Sequence, residues 1–294
     1  MKKEKYIGLI YIMPWLIGFL VFTLYPLASS LYYSFTDFSI ANEPQWVGLD
    51  NYIEIFTSDR LAIPSLITTF KYVFMVVPAK LAAALFVAVL MNQNIKGMRF
   101  YRTIYYLPSI LGGSVAISVL WRFLFRRDGI VNMILAVIGI TPVDWLGSPK
   151  HALGTVALLG IWQFGSSMVL FLAGLKQVPA ELYDAAKVDG AGKIRTFFSV
   201  TLPMISSIIF FNLVMQLINA FQDFTAPFVI TGGGPLNATY VFAIHLYNSA
   251  FKYFKTGYAS ALSWILFVII MLFTLLVFKS SAYWTYYEDG GDFL

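Results

Sequence analysis

The chain has 294 residues, 59% of them hydrophobic and only 12% charged, with a net charge of +5 and no cysteine. A soluble domain carries roughly 25% charged residues, so water is not the solvent for most of this surface. The missing thiols exclude cysteine nucleophiles, disulfides and thiolate metal sites, and the basic excess reads as membrane orientation signal rather than nucleic-acid binding.

The chain opens on Met1-Lys2-Lys3-Glu4-Lys5, followed by an apolar run over 6–35. A cleaved signal has an apolar core of only about 7–15 residues, so this run reads as a retained first span. Further apolar stretches follow, and the predicted spans are 7–35, 64–91, 103–125, 152–175, 204–230 and 257–279. Each is long enough to cross ~30 Å as a helix. The bilayer offers no water to unpaired backbone groups, and runs without period-2 alternation exclude a barrel. The expectation is therefore one all-α membrane domain over 1–294 with about six spans, several carrying prolines (Pro14, Pro26, Pro78, Pro108).

Two connections are more than turns. The segment 128–150 holds an apolar stretch, 130–140, too short to span, which predicts a helix along the interface with Trp145 at headgroup level. After span five comes Thr231-Gly232-Gly233-Gly234-Pro235, a tight turn that no helix continues through.

Charge sets the orientation. With the N-terminus inside, the inner segments hold Lys2, Lys3, Lys5, Lys96, Arg99, Arg102, Lys176, Lys187, Lys193, Arg195 and Lys279. The outer segments hold fewer, Arg60, Arg126, Arg127, Lys150, Lys252 and Lys255. The bias places both termini in the cytoplasm.

The one long polar connection, 179–203, lies between spans four and five. Pro179 suits the first position of a helix, Glu181 and Asp184 complement its dipole, and Gly190 is placed to cap it. A helix over 179–189 follows, then a second short one over about 193–200. Leu182, Ala185, Ala186 and Asp189 share a face at i, i+3, i+4, i+7 spacing. Alanines there allow close approach of a partner, and carboxylates offer ion pairs to it.

Asp184-Ala185-Ala186, Gly190, Val200 and Leu202-Pro203 resemble, at the right spacing, the EAA loop of ABC-transporter permeases, Glu-Ala-Ala-x3-Gly-x9-Ile-x-Leu-Pro. The chain departs from that pattern by Asp at 184 and Val at 200. With seven positions at roughly 5–10% each, a chance match is on the order of 10⁻⁸ per window. Tyr25-Pro26, the segment 46–52, the segment 102–108, Thr231–Pro235, Tyr283-Trp284 and Tyr287-Glu288 extend the similarity to maltose-permease-like sugar importers.

The resemblance implies a type I importer permease fold in a bacterial plasma membrane. It implies a second homologous permease as heterodimer partner, two ABC ATPases and an extracellular solute-binding protein. The coupling residues it implies are Glu181, Asp184, Ala185, Ala186, Asp189, Gly190, Ala191, Leu202 and Pro203. ATP and magnesium would be bound by the ATPases, and this chain would be a passive, non-enzymatic subunit without cofactor or metal. Gly192-Lys193 lacks the flanking glycine and Ser/Thr of a phosphate loop.

A sugar or oligosaccharide needs hydrogen-bonding groups beside aromatics. Gln163, Phe164 and Ser167 in span four, and Gln216, Asn219, Gln222 and Asp223 in span five, are the substrate-path candidates. Gln216, Asn219 and Asp223 recur at i, i+3, i+7 and share a face on a continuous helix. Interhelical hydrogen bonding would use the same groups. Lys80 is an intramembrane charge for which the sequence names no partner. The alternatives are a glycerol-phosphate-like or other polyol solute, and an ion-coupled secondary transporter.

Overall fold

The computed structural model describes residues 4–39, 42–93 and 97–286, with side chains from residue 11 onward. Lys2, Lys3, Lys96 and the Tyr287-Glu288 pair lie outside the described residues. The chain divides into two compact units, Met1–Ile63 with His245–Val268, and Pro64–Ile244 with Ile269–Leu294.

The described residues form helices joined by short connections. In chain order these are α1 (Glu4–Phe19), α2 (Tyr25–Ser34), α3 (Asp50–Thr57), α4 (Ala62–Met91), α5 (Met98–Leu111), α6 (Val115–Leu124), α7 (Ile130–Val137) and α8 (Pro149–Trp162). They continue with α9 (Gly165–Leu175), α10 (Ala180–Val188), α11 (Lys193–Thr196), α12 (Leu202–Met204), α13 (Ser206–Phe221), α14 (Thr225–Thr231), α15 (Phe242–Tyr247) and α16 (Thr256–Ser281). Three helical stretches, Tyr11–Ser34, Ala62–Met91 and Thr256–Ser281, are individually long and apolar enough to cross a membrane. Three bent pairs bring the total to six if each is one span.

The bends are the main departure from the expected straight spans. α5 and α6 meet at 104°, α8 and α9 at 44°, and Lys193–Met204 meets α13 at 68°. Span five also breaks a second time, because α13 ends at Phe221 and α14 starts at Thr225. Proline supplies part of the cause. Pro26 and Pro203 cannot donate to the carbonyl four residues back, and the backbone widens into π turns just before them, at Leu20–Leu24 and Phe197–Thr201.

In the first unit, Asn51 closes the end of α2 by donating its side-chain amide to the carbonyls of Ser34 (2.9 Å) and Thr36 (2.8 Å). The Tyr52 hydroxyl donates to Ser34 Oγ at 2.8 Å. Below α3, Asp59 accepts from the amides of Leu61 and Ala62 and from the Tyr258 hydroxyl, and lies 2.8 Å from His245 Nε2. His245 is therefore a buried partner of a carboxylate.

In the second unit, α4 packs on α9 through Ala84, Ala88, Met168, Phe171 and Leu175, with Ile205 sealing the end. The helices approach closely where side chains are small. A Cβ at Gly165 would run into the α5 backbone at Tyr105 and Tyr106, so only glycine lets α9 start there. α7 presents Ile130, Met133, Ile134 and Val137 outward while Asn132 is buried. Asn132 holds the following loop through the Val143 backbone and the Trp145 indole. This is the expected amphipathic segment, with Trp145 fastened to it.

Candidate functional site

The loop between α9 and α13 builds itself from its own backbone. α10 begins one residue later than expected, with Pro179 as N-cap and Ala180 as first helical residue. At its other end Gly190 takes φ +72°, a left-handed value that glycine adopts without strain. The Ala191 amide then donates to the Ala186 carbonyl at 2.9 Å and the Gly190 amide to the Lys187 carbonyl at 3.0 Å. Those two bonds are a Schellman motif, which satisfies carbonyls that a helix end leaves open.

The motif turns α10 so that its residues divide between two sides. Ala186 is 9% exposed and faces the chain's own interior. Ala185 is exposed beside it, so the two alanines differ in how far they are covered by this chain. Glu181, Leu182, Asp184, Ala185 and Asp189 are exposed, as is Val188 at 87%. Asp184 pairs with Lys187 at 2.8 Å in the open. Val188 was not anticipated, and a lone apolar residue outside the alanine face left no periodic signal. On the inward side the Tyr183 hydroxyl lies 3.2 Å from Thr201 Oγ1, tying α10 to the π turn. Leu202 and Pro203 open α12, where Ser206 Oγ donates to the Pro203 carbonyl at 2.6 Å.

The substrate-path candidates divide as well. Ser167 on α9 is buried, and the Gln216 amide from α13 donates to its Oγ at 3.2 Å. Asn219 and Gln222 are exposed. Asp223 does not share their helix face, because α13 ends two residues earlier. Its carboxylate instead accepts from the Ala226 amide at the start of α14 and from the buried Tyr72 hydroxyl of α4 at 2.5 Å. Lys80, about two turns further along α4, feels the Asp223 charge. No ion pair within 4 Å joins Lys80 to Asp223 among the described residues.

Gln163 sits at the α8–α9 break with its side chain against Gly112, at the α5–α6 break. Ser109 bridges the two breaks. Its Oγ donates to the Gln163 carbonyl at 3.1 Å and accepts from the Ser166 amide at 3.0 Å. Phe164 turns its ring toward Tyr105, with centroids 6.1 Å apart. Two interrupted helices are thus joined at their interruptions, where freed backbone groups find side-chain partners. Broken helices with polar groups at the break can hold a hydrated solute inside a membrane.

The chain resembles known proteins over nearly its whole length. Residues 66–284 match the family model described as binding-protein-dependent transport system inner membrane component. The chain is 48% identical over 291 residues to the probable ABC transporter permease protein YesP of Bacillus subtilis, covering 98% of this chain and 94% of the relative. It is 30% identical to the trehalose/maltose transport system permease protein MalF of Thermococcus litoralis, covering 94% of each. It is 32% identical to the sn-glycerol-3-phosphate transport system permease protein UgpA of Shigella flexneri, again over 94% of each. Among solved structures it matches a chain of a bacterial alginate ABC transporter in complex with alginate pentasaccharide-bound periplasmic protein. The TM-score is 0.82 at 22% identity, over 95% of each chain.

Proposed function

The chain belongs to the binding-protein-dependent transport system inner membrane component family, the membrane-embedded permeases of ABC importers, and from that premise we propose that it passes a sugar or oligosaccharide across the bacterial plasma membrane by alternating access. It does so beside a second, homologous permease, with solute handed over by an extracellular binding protein. Two partner ATPases drive it through α10, which lies with both termini on the cytoplasmic side. The observation that carries this reading is the projecting α10, built around Gly190 and exposing Ala185 and Val188 to a partner.

The saccharide reading rests on the polar character of the path. Gln163, Ser167, Gln216, Asn219 and Gln222 offer neutral donors and acceptors with no cation among them. Hydroxyls suit such a cluster better than a phosphate ester, which would favour unbalanced cations. A glycerol-phosphate-like solute is the second reading, supported by the UgpA relative at 32% identity.

The test is ATP-dependent uptake by the complete importer carrying Ala185→Glu. Ala185 is exposed, so the substitution leaves the fold intact. Uptake is expected to be lost while the permease stays in the membrane at normal abundance. Unchanged uptake would overturn the coupling role of α10.

A further inference from the structure

Beside α10 lies a cavity of about 360 Å³, lined by Val89 and Leu175 near the ends of α4 and α9. The ammonium-bearing Lys187 and Lys193 line it from the two sides of the Gly190–Gly192 turn. Its other polar lining includes Asn92, just past the end of α4, and the paired hydroxyls of Tyr183 and Thr201. Among the described residues no carboxylate lines it. Asp184 pairs with Lys187, and both side chains are at least 70% exposed.

We infer that this cavity binds a phosphate ester, with the headgroup of an anionic phospholipid as the occupant that its position favours. Two ammonium groups supply the charge, each with donors to spare, since Lys187 gives one hydrogen to Asp184. The Tyr183–Thr201 pair uses one hydroxyl hydrogen internally, and the second remains free to donate to an anion. The carbonyl end of α4 would repel an anion, but Arg102 covers it, its Nη2 donating to the Met91 carbonyl at 2.8 Å.

Level and polarity select the lipid. The cavity lies near the ends of two apolar helices, α4 and α9, the level at which a span would meet headgroup phosphates, and Val89, Leu175 and Phe197 give it an apolar wall. A phosphate with a glycerol and the start of an acyl chain matches that mixture of ammonium rim and apolar wall. An occupant would touch α10 through Lys187, the following helix through Lys193 and the end of α4 through Asn92. It would thereby tie the loop to the spans. Any effect on coupling rests on the role of α10 proposed above, whereas the binding itself does not.

The experiment is native mass spectrometry of the full chain in detergent, titrated with phosphatidylglycerol, phosphatidylcholine or glycerol phosphate. The wild type is compared with Lys187→Gln/Lys193→Gln and with a control, Arg126→Gln/Arg127→Gln, at basic residues outside the cavity. At roughly 1 kcal/mol per lysine near a charged membrane surface, the cavity variant is expected to bind phosphatidylglycerol about ten- to thirtyfold more weakly. The control and phosphatidylcholine binding should be unchanged. Tyr183→Phe, which removes only a hydroxyl, should give a smaller loss in the same direction. If glycerol phosphate binds and the cavity variant abolishes it, with no preference among lipids, the phosphate site stands and its source is a soluble ester. Equal losses in the cavity variant and the control, or no loss in either, would overturn the assignment.

Discussion

The amide of Ala191 donates to the carbonyl of Ala186 at 2.9 Å across the end of α10, and Gly190 between them holds φ at +72°. Beside this closure Ala186 is buried, while Ala185 and Val188 stay outside. Gly190→Ala should cost about 1 kcal/mol locally, because a Cβ is disfavoured in the left-handed region. The expected outcome is faster amide exchange confined to 186–191 and a lowered ratio of solute transported to ATP hydrolysed. Unchanged exchange in that segment would contradict the capping role.

Asp223 gathers Tyr72, the Ala226 amide and the Lys80 charge. Asp223→Ala leaves the buried Tyr72 hydroxyl without its acceptor, at an expected cost of about 1–3 kcal/mol. Tyr72→Phe in that background should recover part of the loss, since it removes the stranded hydroxyl. Thermal unfolding in detergent measures both variants. Additive losses in the double variant would show that the two groups do not act on each other.

Asp59 gives the first unit a pH dependence. Burial works to raise its carboxyl, but the Tyr258 hydroxyl, the Leu61 amide, the neighbouring His245 and the Ala62 amide outweigh it and hold it below 3.8. A carboxyl lowered on folding adds stability above its unfolded value and loses it as pH falls through the lowered one. The melting-temperature gap between wild type and Asp59→Asn should therefore be full at neutral pH and close as pH drops below 3.8. A gap that persists undiminished in acid would exclude this linkage.

How much was legible in the sequence follows from what each signal averages over. Hydropathy counts apolar residues and is blind to direction, so it located the apolar segments but not the 104° turn at Gly112–Ser114 or the break before Asp223. Motif spacing found the loop and its Gly190 cap, because left-handed backbone demands a particular residue type. It could not separate Ala185 from Ala186, which carry the same side chain and differ only in what packs beside them. The meeting of Tyr72 and Asp223 was out of reach because Asp223 lies far along the chain, and only folding brings them together. A tyrosine and a lysine two turns apart in one apolar helix were the available hint.

Seating of α10 in an ATPase partner is directly measurable because the sequence holds no cysteine. Val188→Cys places a single thiol where the side chain is 87% exposed. A water-soluble maleimide should label it rapidly in the isolated permease and much more slowly once the ATPase subunits are assembled. A thiol introduced by Asp128→Cys, in the polar turn before α7 with a side chain 75% exposed, serves as the reference that assembly leaves unchanged. Equal labelling at 188 with and without the ATPases would contradict the account.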